Sequence, residues 1–261
     1  MTDEIITSLQ NPKLKRLLEL QGKSSARREA GLFVVEGVRE LGHCLDAGYE
    51  AETVFWCPEI LPSLPPLPAG ARTLQVSRKV YEKAACRQST EGLIAEVRSR
   101  GMRLQDLRLP EKPLVMVLES VEKPGNLGAV LRSADAAGAD AVLICDPLTD
   151  LYNPNLIRAS LGSVFTVPCA CCPSDEAIAF LKERGIRILT AQLQDSSPYY
   201  DCNMTAGTAI VMGTESTGLT GIWRKAADAH RRIPMAGRMD SLNVSVSAAI
   251  LLFEAVRQRN G

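Results

Sequence analysis

Asn126, Gly128 and Arg132 follow an apolar run, Leu114 to Leu118, and lie where a helix-like run begins near Leu127. Gly125 and Gly128 permit a tight turn and close backbone approach. An apolar strand, a glycine loop and a helix form the usual scaffold for a nucleotide-like cofactor. Here the glycines are spaced G-x-x-G rather than G-x-G-x-x-G, and Pro124 sits between strand and helix. Two readings stay open for this stretch alone. One is a tight strand-to-helix turn. The other is a dinucleotide site with Asp146, about twenty residues on, reaching a ribose.

A second stretch runs from Ala209 through Met212 into Gly213, Glu215 and Gly218. A glycine-flanked carboxylate just past a strand end stands where α/β proteins place their sites. The third runs from Arg232 through Ile233, Pro234 and Met235 to Ser241, Leu242, Asn243 and Ser245, then into a long C-terminal helix. Hydroxyls and amides at a helix start satisfy free backbone N–H groups. Three polar residues alternating with apolar ones exceed what one cap requires. In the helix itself, Val246, Ala249, Ile250, Phe253 and Val256 are spaced to form the buried face.

Two segments must position these residues. Residues 114–261 alternate strand and helix: strands are predicted at 114–118, 141–145, 164–167, 186–190, 208–212 and 231–235, and helices at 127–137, 154–161, 174–184 and 243–259. Continuous apolar strands alternating with helices imply an α/β fold with a mostly parallel sheet covered on both faces. Residues 106–113, with charges and two prolines, read as a linker. Residues 1–105 form a smaller α/β domain, with strands at 32–35, 53–57 and 93–97 and helices at 38–47 and 78–86. Leu14, Leu17, Leu18 and Leu20 share a helix face there, amid Lys13, Lys15, Arg16, Arg27 and Arg28.

Composition removes several classes. The 261 residues suffice for one large or two small domains, and the formal net charge is zero, so any nucleic-acid site must be a local patch. No secretory leader is expected. The apolar stretch Ala248 to Val256 is too short for a membrane span and is broken by Glu254. Eight cysteines occur, the crowded Cys169, Cys171 and Cys172 do not fit a zinc knuckle, and there are only two histidines, so no metal site is expected and the thiols are read as reduced.

Together the three stretches resemble the SpoU (TrmH-like) branch of the SPOUT RNA methyltransferases. The first is similar to that family's N-x-G-x-x-x-R (Asn126, Gly128, Arg132), and the second to G-x-E-x-x-G-L (Gly213, Glu215, Gly218, Leu219). The third, Ile233 through Ser245, is similar to I-P-M-x-G-x-x-x-S-L-N-V-S. Asn155 to Phe165, which contains Arg158, is similar to the R-A-S-x-G-x-x-F segment between the first two motifs. Residues 6–15 and 31–39 look like the L30e-like substrate-binding domain of ribosomal-RNA members. Departures are Glu119 for a frequent Asp, Thr220 for Ser, and Glu91-Gly92 for Gln-Gly.

The resemblance implies transfer of a methyl group from S-adenosylmethionine to a ribose 2′-hydroxyl of RNA, large-subunit 23S ribosomal RNA first. It also implies a C-terminal trefoil knot, a homodimer and a cytoplasmic location. Arg132, Asn126, Glu215, Ser241 and Asn243 would be catalytic, while Gly213, Ile233, Leu242, Met212 and Ser245 would hold the cofactor. Lys13, Lys15, Arg16, Arg27, Arg28 and Arg158 would meet RNA phosphates. Arginine is a poor base, so clamping a phosphate and stabilising developing negative charge suit Arg132 better than proton removal. The alternatives are a transfer-RNA methyltransferase, a non-catalytic RNA-binding protein of the same fold, and an oxidoreductase using Asp146.

Overall fold

A computed structural model describes residues 5–86, 91–214 and 217–261. In chain order its elements begin with α1 (Pro12–Gly22), α2 (Ser24–Ala30), β1 (Leu32–Glu36), α3 (Val38–Asp46), β2 (Ala51–Trp56), β3 (Arg72–Gln75), α4 (Arg78–Ala84) and β4 (Leu93–Arg98). Next come β5 (Leu114–Glu119), α5 (Pro124–Ala136), β6 (Ala141–Cys145), α6 (Pro154–Ser160), α7 (Ser163–Thr166), β7 (Cys169–Cys172), α8 (Ser174–Glu183) and β8 (Arg187–Ala191). The last are β9 (Ser197–Pro198), β10 (Thr208–Met212), α9 (Gly221–Ala226), β11 (Ala229–Arg232) and α10 (Val244–Asn260).

The chain forms two compact units. The first holds residues up to Arg100 together with Asp150–Thr166, and the second holds Gly101–Thr149 and Val167–Gly261. This departs from the expected division into 1–105, 106–113 and 114–261, because the 150–166 segment folds with the N-terminal elements. The reason is apolar. Tyr152 stacks on the buried Phe33 ring at 4.3 Å between centroids, and Phe165 lies 5.7 Å from the same ring. Burying large rings together outweighs proximity along the chain.

In the first unit a four-stranded sheet has the order β1-β4-β2-β3. One core gathers Leu14, Leu17 and Leu20 of α1 with Val34, Phe55, Ile94 and the α4 residues Val80 and Tyr81. Leu18, expected on the same helix face, is exposed. The anticipated strand at 164–167 is the short helix α7, and the strand forms later, at β7. Four apolar or hydroxyl residues in a row carry no period that separates strand from helix.

In the second unit seven strands lie in the order β7-β6-β5-β10-β8-β11-β9, and every neighbouring pair is parallel. All residues of β5, β6 and β10 are buried, as parallel strands covered on both faces require. One face carries α8 and α9, whose Ala177, Leu181 and Trp223 join Val115, Val117, Leu143 and Val211 in a single core. The other face carries α5 and α10, which pack on each other and on β5, β6 and β10. The mostly parallel α/β sheet expected for this segment is therefore present, with α9 an addition that periodicity did not indicate.

The C-terminal helix buries a different face from the one expected. Val244, Ala248, Leu251, Leu252 and Ala255 point inward. Val246 and Phe253 are 47% and 48% exposed, and Ala249, Ile250 and Val256 are half-buried. The helix is apolar on both sides, so two stripes at helical spacing compete, and packing against α5 selects the first.

Candidate active site

The site is built at the C-terminal ends of the two central strands, β5 and β10. After β5 the chain passes Ser120 to Lys123 and enters α5 at Pro124. The Pro-Gly-Asn sequence expected as a turn is instead the first turn of this helix. Proline at N1 has no N–H to leave unsatisfied and a φ already suited to the helix. Nothing lies within 4 Å of where a Gly125 Cβ would stand, so Gly125 makes no close backbone approach. Asn126 thus sits in the first helical turn.

Asn243 is the N-cap of α10, and its Oδ1 accepts from the Ser245 backbone N–H at 3.0 Å and from Ser245 Oγ at 2.6 Å. The Asn243 Nδ2 donates to Asn126 Oδ1 at 3.2 Å. One carboxamide therefore caps α10 and ties it to the start of α5. The N-termini of a 13-residue and a 17-residue helix converge, and their aligned backbone dipoles favour negative charge between them. A pocket opens at this point, lined by Val121, Glu122, Lys123, Asn126, Gly213, Thr214 and Val244.

Gly213 follows the buried Met212 at the end of β10. A Cβ there would stand 2.3 Å from the Gly218 carbonyl oxygen and 2.6 Å from the Leu219 nitrogen. Only glycine lets the returning backbone cross so closely. Gly218 itself has φ +67° and donates its N–H to the Thr214 carbonyl at 3.1 Å, closing the loop. Glu215, expected to be catalytic, lies outside the described residues.

One anchor of this loop joins two residues noted from sequence only as departures from the family's Asp and Ser, with no role given to either. Glu119, the last residue of β5, is 2% exposed. Its Oε2 accepts the Thr220 backbone N–H at 2.8 Å, and its Oε1 accepts the Thr220 hydroxyl at 2.5 Å. An acidic residue closing an otherwise wholly apolar strand was the available signal; its partner lies 101 positions away.

The other expected residues are placed less centrally. Ile233 is half-buried and Leu242 exposed, in the segment between β11 and α10. Ser241 is exposed and donates to Asp240 Oδ1 at 3.1 Å, rather than to Asn126 or Asn243. Arg132 is exposed on α5, six positions beyond Asn126 and hence roughly 9 Å farther along the axis. Among the described residues, no hydrogen bond joins it to Asn126, Asn243 or Ser241. The structure brings Asn126, Asn243, Ser245 and Gly213 together and leaves Arg132 and Ser241 facing solvent.

Asp146 does not stand as a ribose ligand. Its Oδ2 accepts the Ser174 hydroxyl at 2.6 Å, and the same hydroxyl accepts from Trp223 Nε1 at 2.9 Å. The carboxylate is committed to fixing α8 and α9.

The basic residues of the first unit divide in two. Arg27 is 4% exposed; its Nε donates to Asp150 Oδ2 at 2.5 Å and its Nη1 to the Leu20 carbonyl at 2.6 Å. It fastens the end of α1 and is corrected here from an RNA contact to a structural one. Arg16 is paired with Glu52 at 2.5 Å and with Glu96 at 3.3 Å. Burial pushes the Glu96 carboxyl above its ordinary range, and the Arg16 charge opposes that rise. Lys15, Arg28 and Arg158 are exposed and Lys13 is half-buried. Arg158 Nη2 donates to Asn155 Oδ1 at 2.7 Å.

None of the eight cysteines is in a disulfide, and Cys86 and Cys171 are exposed while the others are buried. Among the described residues, no group of three or more metal-ligating side chains is disposed to hold an ion, and no helix is long and apolar enough to cross a membrane.

Residues 113–253 match the SpoU rRNA Methylase family, and residues 11–95 match an MRM3-like substrate binding domain. The chain is 36% identical to a 23S rRNA (guanosine-2′-O-)-methyltransferase, RlmB, of Vibrio cholerae, over 73% of this chain and 79% of that protein. A crystal structure of an RNA 2′-O ribose methyltransferase superposes with a TM-score of 0.86 at 39% identity, covering 99% of this chain and 100% of the other. An AdoMet-bound rRNA methyltransferase from Sinorhizobium meliloti gives 0.88 at 30% identity, with 97% of each chain covered. With the family matched across more than half its length and a glycine-crossed pocket at the ends of its central strands, this chain belongs to the SpoU rRNA methylase family.

Proposed function

We propose that the protein transfers a methyl group from S-adenosylmethionine to a ribose 2′-hydroxyl of ribosomal RNA, with large-subunit RNA the substrate. The observation that carries this is the pocket where Asn126 and Asn243 join two helix N-termini beside the Gly213 crossing. The residues present fit the cofactor. The glycine crossing leaves backbone free of side chains at Gly213, and Met212 supplies an apolar wall. Backbone groups at Ile233 and Leu242, with the Ser245 hydroxyl, complete the proposed set. When bound, the sulfonium supplies an activated methyl group.

The chain's own residues have the remaining work. Asn126, held by Asn243, orients the target ribose against the pocket. Arg132, exposed on α5, reaches RNA phosphate and stabilises charge developing on the hydroxyl oxygen. Glu215 and Ser241 complete the polar shell in this reading. Lys13, Lys15, Arg28 and Arg158 meet the RNA backbone, with Arg16 contributing from within its ion pairs. The C-terminal trefoil knot belongs to the same reading, supported by the family match. The homodimer is supported by the second apolar stripe of α10, and a cytoplasmic location by the substrate.

The test is incubation with labelled S-adenosylmethionine and ribosomal or transfer RNA from cells lacking the protein, followed by mapping of the methylated nucleotide. Label at a 2′-oxygen of large-subunit RNA is expected. Label in transfer RNA alone would replace the substrate, and RNA binding without label would leave a non-catalytic binder. R132A should lower transfer at least 100-fold, roughly the scale of a lost charge-stabilising donor, with cofactor affinity unchanged within about twofold. Retained activity in that variant would remove Arg132 from the catalytic set.

A further inference from the structure

Glu119 ties together the two loops that frame the pocket. It is the residue from which the 120–123 loop departs, and Val121, Glu122 and Lys123 of that loop line one side. Its carboxylate takes both donors of Thr220, at 2.8 and 2.5 Å. Thr220 follows directly on Gly218 and Leu219, the backbone that crosses Gly213, and it is also the N-cap residue of α9. Gly213 and Thr214, where that crossing is made, line the same pocket.

We propose that Glu119 is a positioning residue for the cofactor loop: held at the end of β5, it sets through Thr220 the height at which Gly218 and Leu219 cross Gly213. The inference rests on the methyl-transfer reading above and adds a residue that the three motifs do not contain. Its physics is that of a short strut. β5 is fully buried and hydrogen-bonded to β6 and β10 along its length, so the Glu119 backbone has little freedom. Two hydrogen bonds to one carboxylate, both charge-assisted, transmit that rigidity to the loop. The crossing at Gly213 leaves no slack, because not even a methyl group fits between the two backbones. Small displacements at residue 220 therefore become displacements of the pocket wall.

Three substitutions separate position from charge. E119D keeps the charge and withdraws the carboxylate by one methylene, about 1.5 Å. T220V removes only the hydroxyl, at an exposed residue whose replacement leaves the cores untouched. T220S keeps both donors. Binding of S-adenosylmethionine to the full-length protein is measured by calorimetry, with thermal unfolding and transfer kinetics alongside.

E119D and T220V should each weaken cofactor binding about tenfold, the scale of one charge-assisted hydrogen bond. T220S should stay within about twofold of the parent. The E119D/T220V double variant should lose no more than the worse single one, because both cut the same strut. Turnover at saturating cofactor and the KM for RNA should hold. A purely structural role would instead lower the unfolding temperature and leave the affinity of the folded fraction unchanged. Parent-like affinity in folded E119D and T220V, or additive losses in the double variant, would overturn the proposal. A parent protein that binds no S-adenosylmethionine would overturn the underlying reading and this inference with it.

Discussion

Asn243 shows how much one side chain carries at the centre of the site. Its oxygen caps α10 and its nitrogen holds Asn126. N243S separates the two roles, since serine caps a helix about as well as asparagine but does not reach Asn126. Unfolding temperature should stay near that of the parent, while methyl transfer falls at least tenfold; equal activity would show that the contact to Asn126 is dispensable. Residues of this kind were legible in the sequence because their types and spacing repeat a pattern, and Gly213 was legible for the same reason. Arg27 was misread as an RNA contact because counting charges does not reveal that a guanidinium meets Asp150, 123 positions away, in a buried setting. The bond from Glu119 to Thr220 was missed for a related reason: both residues were noted as departures from the family's Asp and Ser, but only the fold creates the pair.

At the level of elements, the central strands β5, β6 and β10 were read closely, since buried parallel strands are short, continuous apolar runs, while β7 and β9 were not foreseen. The helices were found but not always their faces. α10 has apolar residues all round, and its sequence period fits either stripe. The stripe left outside, with Val246 and Phe253 each about half exposed, is the surface we assign to a second copy of the chain. F253E places a charge on that surface without touching the inward face. Sedimentation should then report a shift from dimer to monomer, with circular dichroism unchanged. A parent protein that is already monomeric at micromolar concentration would remove the dimer from the proposal. Pro124 shows a different limit: Pro-Gly-Asn reads as a turn by composition, yet proline is equally at home in the first turn of a helix.

Taken whole, the molecule divides its chain in a way that a linear reading did not foresee. The α/β character and the parallel sheet followed from the alternation of elements. The membership of the 150–166 segment did not, because contiguity along the chain does not reveal which rings pack together. The first unit includes residues 150–166, which bring Tyr152 and Phe165 to Phe33, and Asp150 to Arg27. A fragment ending at residue 105 should therefore expose the Phe33 face and leave the buried Arg27 charge without its carboxylate. Such a fragment is expected to bind a hydrophobic dye and to unfold with low cooperativity. A fragment that unfolds as sharply as the full protein would show the later segment to be an ornament rather than part of the core.

The same excursion has a consequence for synthesis on the ribosome. Between Arg100 and Thr166 the nascent chain grows by roughly 66 residues, during which β5, α5 and β6 are made before the first unit can close. At about 5–20 residues per second this interval lasts roughly 3–13 s. Throughout it, Phe33 has Tyr49 but waits for Tyr152 and Phe165 while the strands of the next unit are already emerging. The order of translation is thus not the order of completion: the N-terminal unit starts first, pauses with one face open, and finishes only after the second has begun.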